Sequence, residues 1–159
     1  MSGRSEFSSH GDLLRELTLP DDVINPWHTI QSRSGQFIVC DGEVDDPIHR
    51  LCVISADGRY IVHSHGGRRG DAISQYWVPD HLAVDDSEFV YVVDVNNQRV
   101  TLLSPTLSYI RQIVSCDKLR GSPHVLYLDV QRRRLYVTDN EWSWKAGKYT
   151  AGRAVVFSV

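Results

Sequence analysis

Apolar residues in this chain fall in short runs, Phe37-Ile38-Val39-Cys40, Val90-Tyr91-Val92-Val93, Val100 to Leu103 and Leu135-Tyr136-Val137, each bounded by Gly, Asp, Asn or Pro. Short runs rich in β-branched and aromatic residues between turn formers predict strands. One stretch carries a helix-like pattern, GDLLRELTLP, but Pro20 closes it after about two turns. The expectation is an all-β chain.

The runs repeat, and a repeat constrains architecture more than any single run. PWHTIQSRSGQFIVCDG with HRLCVIS, PDHLAVDDSEFVYVVDV with QRVTLLS, and PHVLYLDVQRRRLYVTDN with GRAVVFS share one order. Each opens at a Pro (Pro26, Pro79, Pro123), runs through a strand, a polar turn and a second strand, and ends in an Asp (Asp41, Asp94, Asp139). An Arg (Arg50, Arg99, Arg153) then opens a third strand. The Pro-to-Pro steps are 53 and 44 residues, the scale of a four-stranded propeller blade. GRYIVHSHGG and PTLSYIRQIV supply a fourth, outer strand in two repeats. The third repeat has none, and residues 12–20 near the start of the chain have its character. The predicted fold is a β-propeller of four-stranded antiparallel blades, about three per chain. The units cover about 26–67, 79–114 and 123–159, with strand 12–20 completing the last blade, in the same chain or in a second copy.

Asp94 ends one strand and Arg99 begins its neighbour five residues later, so the two predict a bidentate, charge-assisted clasp across a surface-facing hairpin mouth. Asn96 and Asn97 fit the turn between them. The Asp-to-Arg interval is 9 residues in the first repeat and 14 in the third. A fixed clasp around a variable loop is a frame on which recognition is commonly built.

Asp94-x-Asn96-x-x-Arg99, preceded by PDHLAVDDSEFVYVVD, resembles an NHL repeat. The third repeat is similar through LYLDVQRRRLYVTDN and GRAVVFSV, whereas Asp41-Gly42 makes the first depart most. Residues 11–159 resemble the C-terminal half of the NHL propeller of tripartite-motif proteins. That resemblance implies a six-bladed ring, of which this chain holds half. It also implies a protein or single-stranded RNA partner. Half a ring leaves two readings: the chain is a fragment of a larger protein, or two copies pair by a two-fold arrangement in which strand 12–20 of one finishes the last blade of the other. Ubiquitin-ligase activity would need a RING domain, and the chain has no zinc-ligand spacing.

Net charge is −3, which provides no global field toward nucleic acid or anionic lipid. Cys40, Cys52 and Cys116 are an odd, scattered set, read as free thiols in a reducing, cytoplasmic setting. The Ser-rich stretch 1–10 reads as a disordered leader. No apolar stretch is long enough to span a bilayer, so no membrane partner is expected.

His28, His81 and His124 follow the three repeat prolines, at the start of the innermost strands. Amidating-lyase propellers that resemble this family hold a metal with such imidazoles, but His124 is shifted by one residue, so spacer roles, no metal and no cofactor are expected. His63 and His65 share one strand face and read as an exposed edge, and Arg69-Gly70-Asp71 as a chance adhesion tripeptide. The loop EWSWKAGKYTA interleaves Trp142, Trp144 and Tyr149 with Lys145 and Lys148, a composition that stacks unpaired bases or grips peptides. In NHL propellers the equivalent loops share a face with the blade connections, which adds Trp27, His28, Trp77, His81, Arg120 and His124 to the candidate surface. Arg132–Arg134 belong to a turn on the opposite face. The leading expectation is a non-catalytic recognition or scaffold module. The alternatives are a propeller lyase or hydrolase with a metal at the histidines, and a purely structural, self-associating fragment.

Overall fold

A computed structural model of the chain describes residues 3–143 and 145–159, with the side chains of residues 3, 4, 6, 7, 142 and 143 outside the description. The described residues are all-β. The strands are β1 (Gly3–Phe7), β2 (Leu13–Thr18), β3 (Pro26–Gln31), β4 (Phe37–Asp41), β5 (Ile48–Ile54), β6 (Ile61–Arg68), β7 (Pro79–Val84), β8 (Val90–Asp94), β9 (Arg99–Leu103), β10 (Tyr109–Val114), β11 (Ser122–Asp129), β12 (Arg134–Ser143) and β13 (Lys148–Ser158). The only helical element among them is a 3-10 turn at Cys116–Lys118. No helix among them is long and apolar enough to cross a membrane.

Strands pair with their sequence neighbours into open antiparallel sheets: β1-β2, β3-β4-β5-β6, β7-β8-β9-β10 and β11-β12-β13. The sheets pack face to face in chain order, with an apolar layer at each junction. Leu17, Leu19 and Val23 meet Phe37, Val39, Cys52 and Ile54 at the first junction. Ile38, Cys40 and Leu51 meet Leu82, Val90, Val92 and Leu103 at the second. Tyr91, Val93, Val100 and Leu102 meet Leu126, Leu135 and Val137 at the third. Strands β4, β8 and β9 are buried along their whole length. Their unbroken apolar runs follow from having a sheet on both faces. Cys40 and Cys52 are buried free thiols. Burial raises both, Cys52 to about 12, so neither ionises near neutrality.

Two expectations for the N-terminal segment change. Residues 3–7, inside the stretch read as a disordered leader, form β1 and pair with β2 in the register Ser5↔Glu16. Ser8 explains this: its Oγ accepts from the Asp12 amide at 3.1 Å and Gly11 donates to its carbonyl at 3.0 Å, closing a tight hairpin. Strand 12–20 therefore pairs with β1, and does not complete the third sheet of its own chain.

The clasps also differ from a surface device. Asp41↔Arg50, Asp94↔Arg99 and Asp139↔Arg153 are register partners, and all three carboxylates are buried. Arg99 spends only Nε on Asp94, at 2.8 Å, and Arg50 only Nε on Asp41, at 3.0 Å. Arg153 alone grips its carboxylate with both Nε and Nη2. Each guanidinium also reaches the segment entering its sheet: Arg50 the Asp22 carbonyl, Arg99 those of Asp71, Ala72 and Gln75, and Arg153, through the same Nη2, that of Lys118. The carboxylates accept amides from the same segments, at Ile24 and Asn25, Trp77, and Arg120. Each clasp thus ties two strands of a sheet to the linker from the sheet before. Arg69-Gly70-Asp71 is absorbed in this linker, where Asn97 donates to the Gly70 carbonyl at 2.8 Å.

A candidate recognition groove on the loop face

Because the sheets share one register, equivalent positions can be read off their Pro and Asp landmarks. Pro26, Pro79 and Pro123 pair with the three clasp carboxylates. The residues one past each Pro are therefore Trp27, Asp80 and His124, and those two past each Asp are Glu43, Asn96 and Glu141. All six line a single open groove of about 850 Å³, together with Val78, Arg120, Ser122 and Tyr149 among others. Trp27 is 53% exposed and Tyr149 56%. Three of the six repeat positions are carboxylates, facing one guanidinium from Arg120.

Asp80 Oδ2 lies 3.7 Å from His124 Nδ1, longer than a hydrogen bond, so the carboxylate does not fix the imidazole tautomer. The His124 ring meets Tyr149 edge-on, with ring centres 6.4 Å apart. Val78, on the groove wall, holds a left-handed backbone at φ 66°, costly for a β-branched residue. Its amide donates to His49 Nδ1 at 3.1 Å and its carbonyl accepts from Val95 at 3.0 Å, which hold it there. His49 is fully buried, and its Nε2 reaches the Asp46 carbonyl at 3.0 Å. Burial lowers its pKa, so a neutral ring with the proton on Nε2 serves both bonds.

Of the candidate binding residues, Trp27, Arg120, His124 and Tyr149 come together in this groove. Trp77 turns away: its amide is spent on Asp94 and its ring lies under the Arg69 guanidinium, 5.2 Å from the ring centre. His28 and His81 occupy equivalent register positions and stack at 3.8 Å between ring centres. His28 Nδ1 also accepts from the Leu82 amide. The third equivalent position is Val125, so the imidazoles do not converge. Among the described residues no cluster of three His, Cys, Asp or Glu is placed to hold a metal. His63 and His65 lie on the edge strand β6, where His63 is exposed, but His65 is half-buried: its ring meets Tyr76 at 5.7 Å with Nε2 buried. Lys145 and Lys148 are exposed at the tip of the β12-β13 hairpin. Trp142 lies on β12 by its backbone; its side chain, and all of Trp144, fall outside the described residues.

The two asparagines of the second clasp divide their work. Asn97 Nδ2 donates to Asp94 Oδ2 at 2.8 Å and belongs to the clasp, whereas Asn96 faces the groove. Glu43, Asp80, Asn96 and Glu141 were not singled out as binding residues from sequence. Their fixed offsets from Pro and Asp were the available signal, and it is visible only when the three repeats are aligned.

No family model matches the sequence, and no curated protein matches it. Among solved structures, the chain is similar to a protein of unknown function from Bacteroides caccae, at TM-score 0.73 and 14% identity. The match covers 98% of this chain and 55% of that one. At that identity the likeness is one of fold alone, and this chain spans little more than half of the protein it matches.

Proposed function

We propose that this chain is a non-catalytic recognition module, a propeller-like stack of NHL-type sheets that takes an extended protein segment into its loop-face groove. One observation carries the reading: the groove is lined from each of the three repeats at the same two offsets, with exposed aromatic residues on its rim. Repeat proteins read partners in this way, with a conserved frame and variable residues at fixed positions. Trp27 and Tyr149 supply large, amphipathic contact area of the kind that dominates binding energy. The Glu43, Asp80 and Glu141 carboxylates favour a segment with Lys or Arg side chains over a phosphate backbone.

The test is fluorescence anisotropy with three labelled probes: a short peptide alternating Arg and Ala, its Glu counterpart, and an oligouridylate. The Arg peptide is expected to bind, weakening as salt rises, with Trp27→Ala and Glu141→Gln each reducing affinity about tenfold. Oligouridylate binding that weakens with salt and depends on Trp27 would replace the peptide reading with an RNA one. Silence from all three probes would remove the groove as a recognition site.

A further inference from the structure

The geometry points to reciprocal strand exchange between two copies of this chain, in which β13 of one displaces β1 of the other as the partner of β2. This does not rest on the groove having a ligand. It rests on what β1-β2 is within the repeat. Ser8 and Ser104 make the same turn: each Oγ accepts the amide four residues on, each amide donates to the carbonyl four residues on, and the residue three on donates back to its carbonyl. Gly11 and Leu107 both take positive φ there, 88° and 55°. Across that turn β1-β2 has the register of β9-β10, with Ser5↔Glu16 standing where Thr101↔Gln112 stands. So β2 is an outer, fourth strand, and β1 occupies the place of a third strand.

Among the described residues the third sheet ends in a third strand of its own, β13, and none of them forms a fourth strand beside it. In that register Val155-Val156-Phe157-Ser158 takes the places of Ser5-Glu6-Phe7-Ser8, but β13 runs 11 residues to the 5 of β1. It is the longer and more apolar competitor for the same edge. The outer face of its sheet is also uncovered. Tyr127 is 64% exposed and Val156 49%, whereas the residue equivalent to Val156 one sheet earlier, Leu102, is buried at 8%. A long strand with one open edge beside an apolar face is a docking edge. A second copy suits it because β2 already carries the matching strand, exposing Leu13 and Leu14.

Carrying the β9-β10 register over places Glu16 of one copy opposite Val155 of the other. In a Cys116→Ser background, which removes the exposed thiol, Glu16→Cys and Val155→Cys are prepared as separate proteins. They are mixed at high concentration and oxidised with copper–phenanthroline. The mixture is expected to yield a covalent species at twice the 18.1 kDa chain mass, and each protein alone is not. Light scattering of the unsubstituted chain should show the same doubled mass, and deletion of residues 1–20 should return it to a single chain. Failure of the mixture to cross-link, with far-ultraviolet circular dichroism showing both variants still β-folded, would overturn the exchange. So would a single-chain mass at every concentration.

Discussion

At the scale of single residues, the clasp guanidinium is the point at which the fold is most exposed to substitution. Arg99 joins Asp94, fully buried, to three linker carbonyls. Desolvation raises the Asp94 pKa despite Asn97, the Trp77 amide and Arg99, so the carboxylate depends on its partners to stay charged. Arg99→Leu strands that charge and is expected to cost about 3–5 kcal/mol in urea unfolding. Adding Asp94→Asn should restore part of it, since the amide keeps an acceptor for the Trp77 N–H without the buried charge. His49 sets a pH dependence of definite sign. Its pKa in the fold is lowered by burial, so as pH falls the unfolded chain takes up the proton first and stability is lost from about pH 6.5 downward. His65 and His81 are lowered by burial too and act in the same direction, whereas Asp94 acts oppositely in the carboxylate range. The urea midpoint should therefore drop between about pH 7.5 and pH 5, and His49→Asn should flatten that drop while lowering the midpoint at the higher pH.

At the scale of elements, the N-terminal hairpin is held by a few close approaches. The Arg15 guanidinium lies 5.7 Å from the Phe37 ring centre, and Gly58 allows β2 to sit tightly on the β5-β6 turn. A Cβ on Gly58 would come within 2.7 Å of Leu17 Cγ, at a backbone φ of 79° that already disfavours a side chain. Gly58→Ala is expected to cost roughly 1 kcal/mol or more and to loosen the hairpin first. Trypsin should then cut after Arg15 faster than in the parent chain, while the later sheets stay resistant. This element also shows where sequence reading stops. Phe37 to Asp41 and Val90 to Asp94 were legible because both faces of those strands are packed, leaving no polar position to blur the pattern. In β1 the polar composition hides the strand, and only the Ser8–Gly11 spacing, matched by Ser55–Gly58, gives it away. The clasp pairs were legible from spacing, but their burial was not, because the linker that covers them follows a different sheet. Trp77 was misplaced for a related reason: a linker residue points where its backbone partners send it, and Asp94 takes its amide.

At the scale of the molecule, a linear stack of sheets distributes stability unevenly, and strand exchange would redistribute it. The β7-β10 sheet has an apolar layer on both sides, whereas β1-β2 and β11-β13 each have one. With nearest-neighbour coupling of this kind, the ends open at lower free energy than the middle. Amide exchange of the single chain should be slowest in Val90–Asp94 and Arg99–Leu103, where every residue is buried, and fastest in β1, β2 and the outer edge of β13. If two copies exchange strands, raising the protein concentration must change this order in a specific way. The amides of β2 and β13 gain protection together, since each becomes the other's partner, while those of β1 lose it. Association by any other surface leaves β1 paired with β2, and its protection then stays constant or rises. The sign of the change at Ser5 alone therefore separates exchange from simple aggregation, because Ser5 and Val155 compete for the place opposite Glu16.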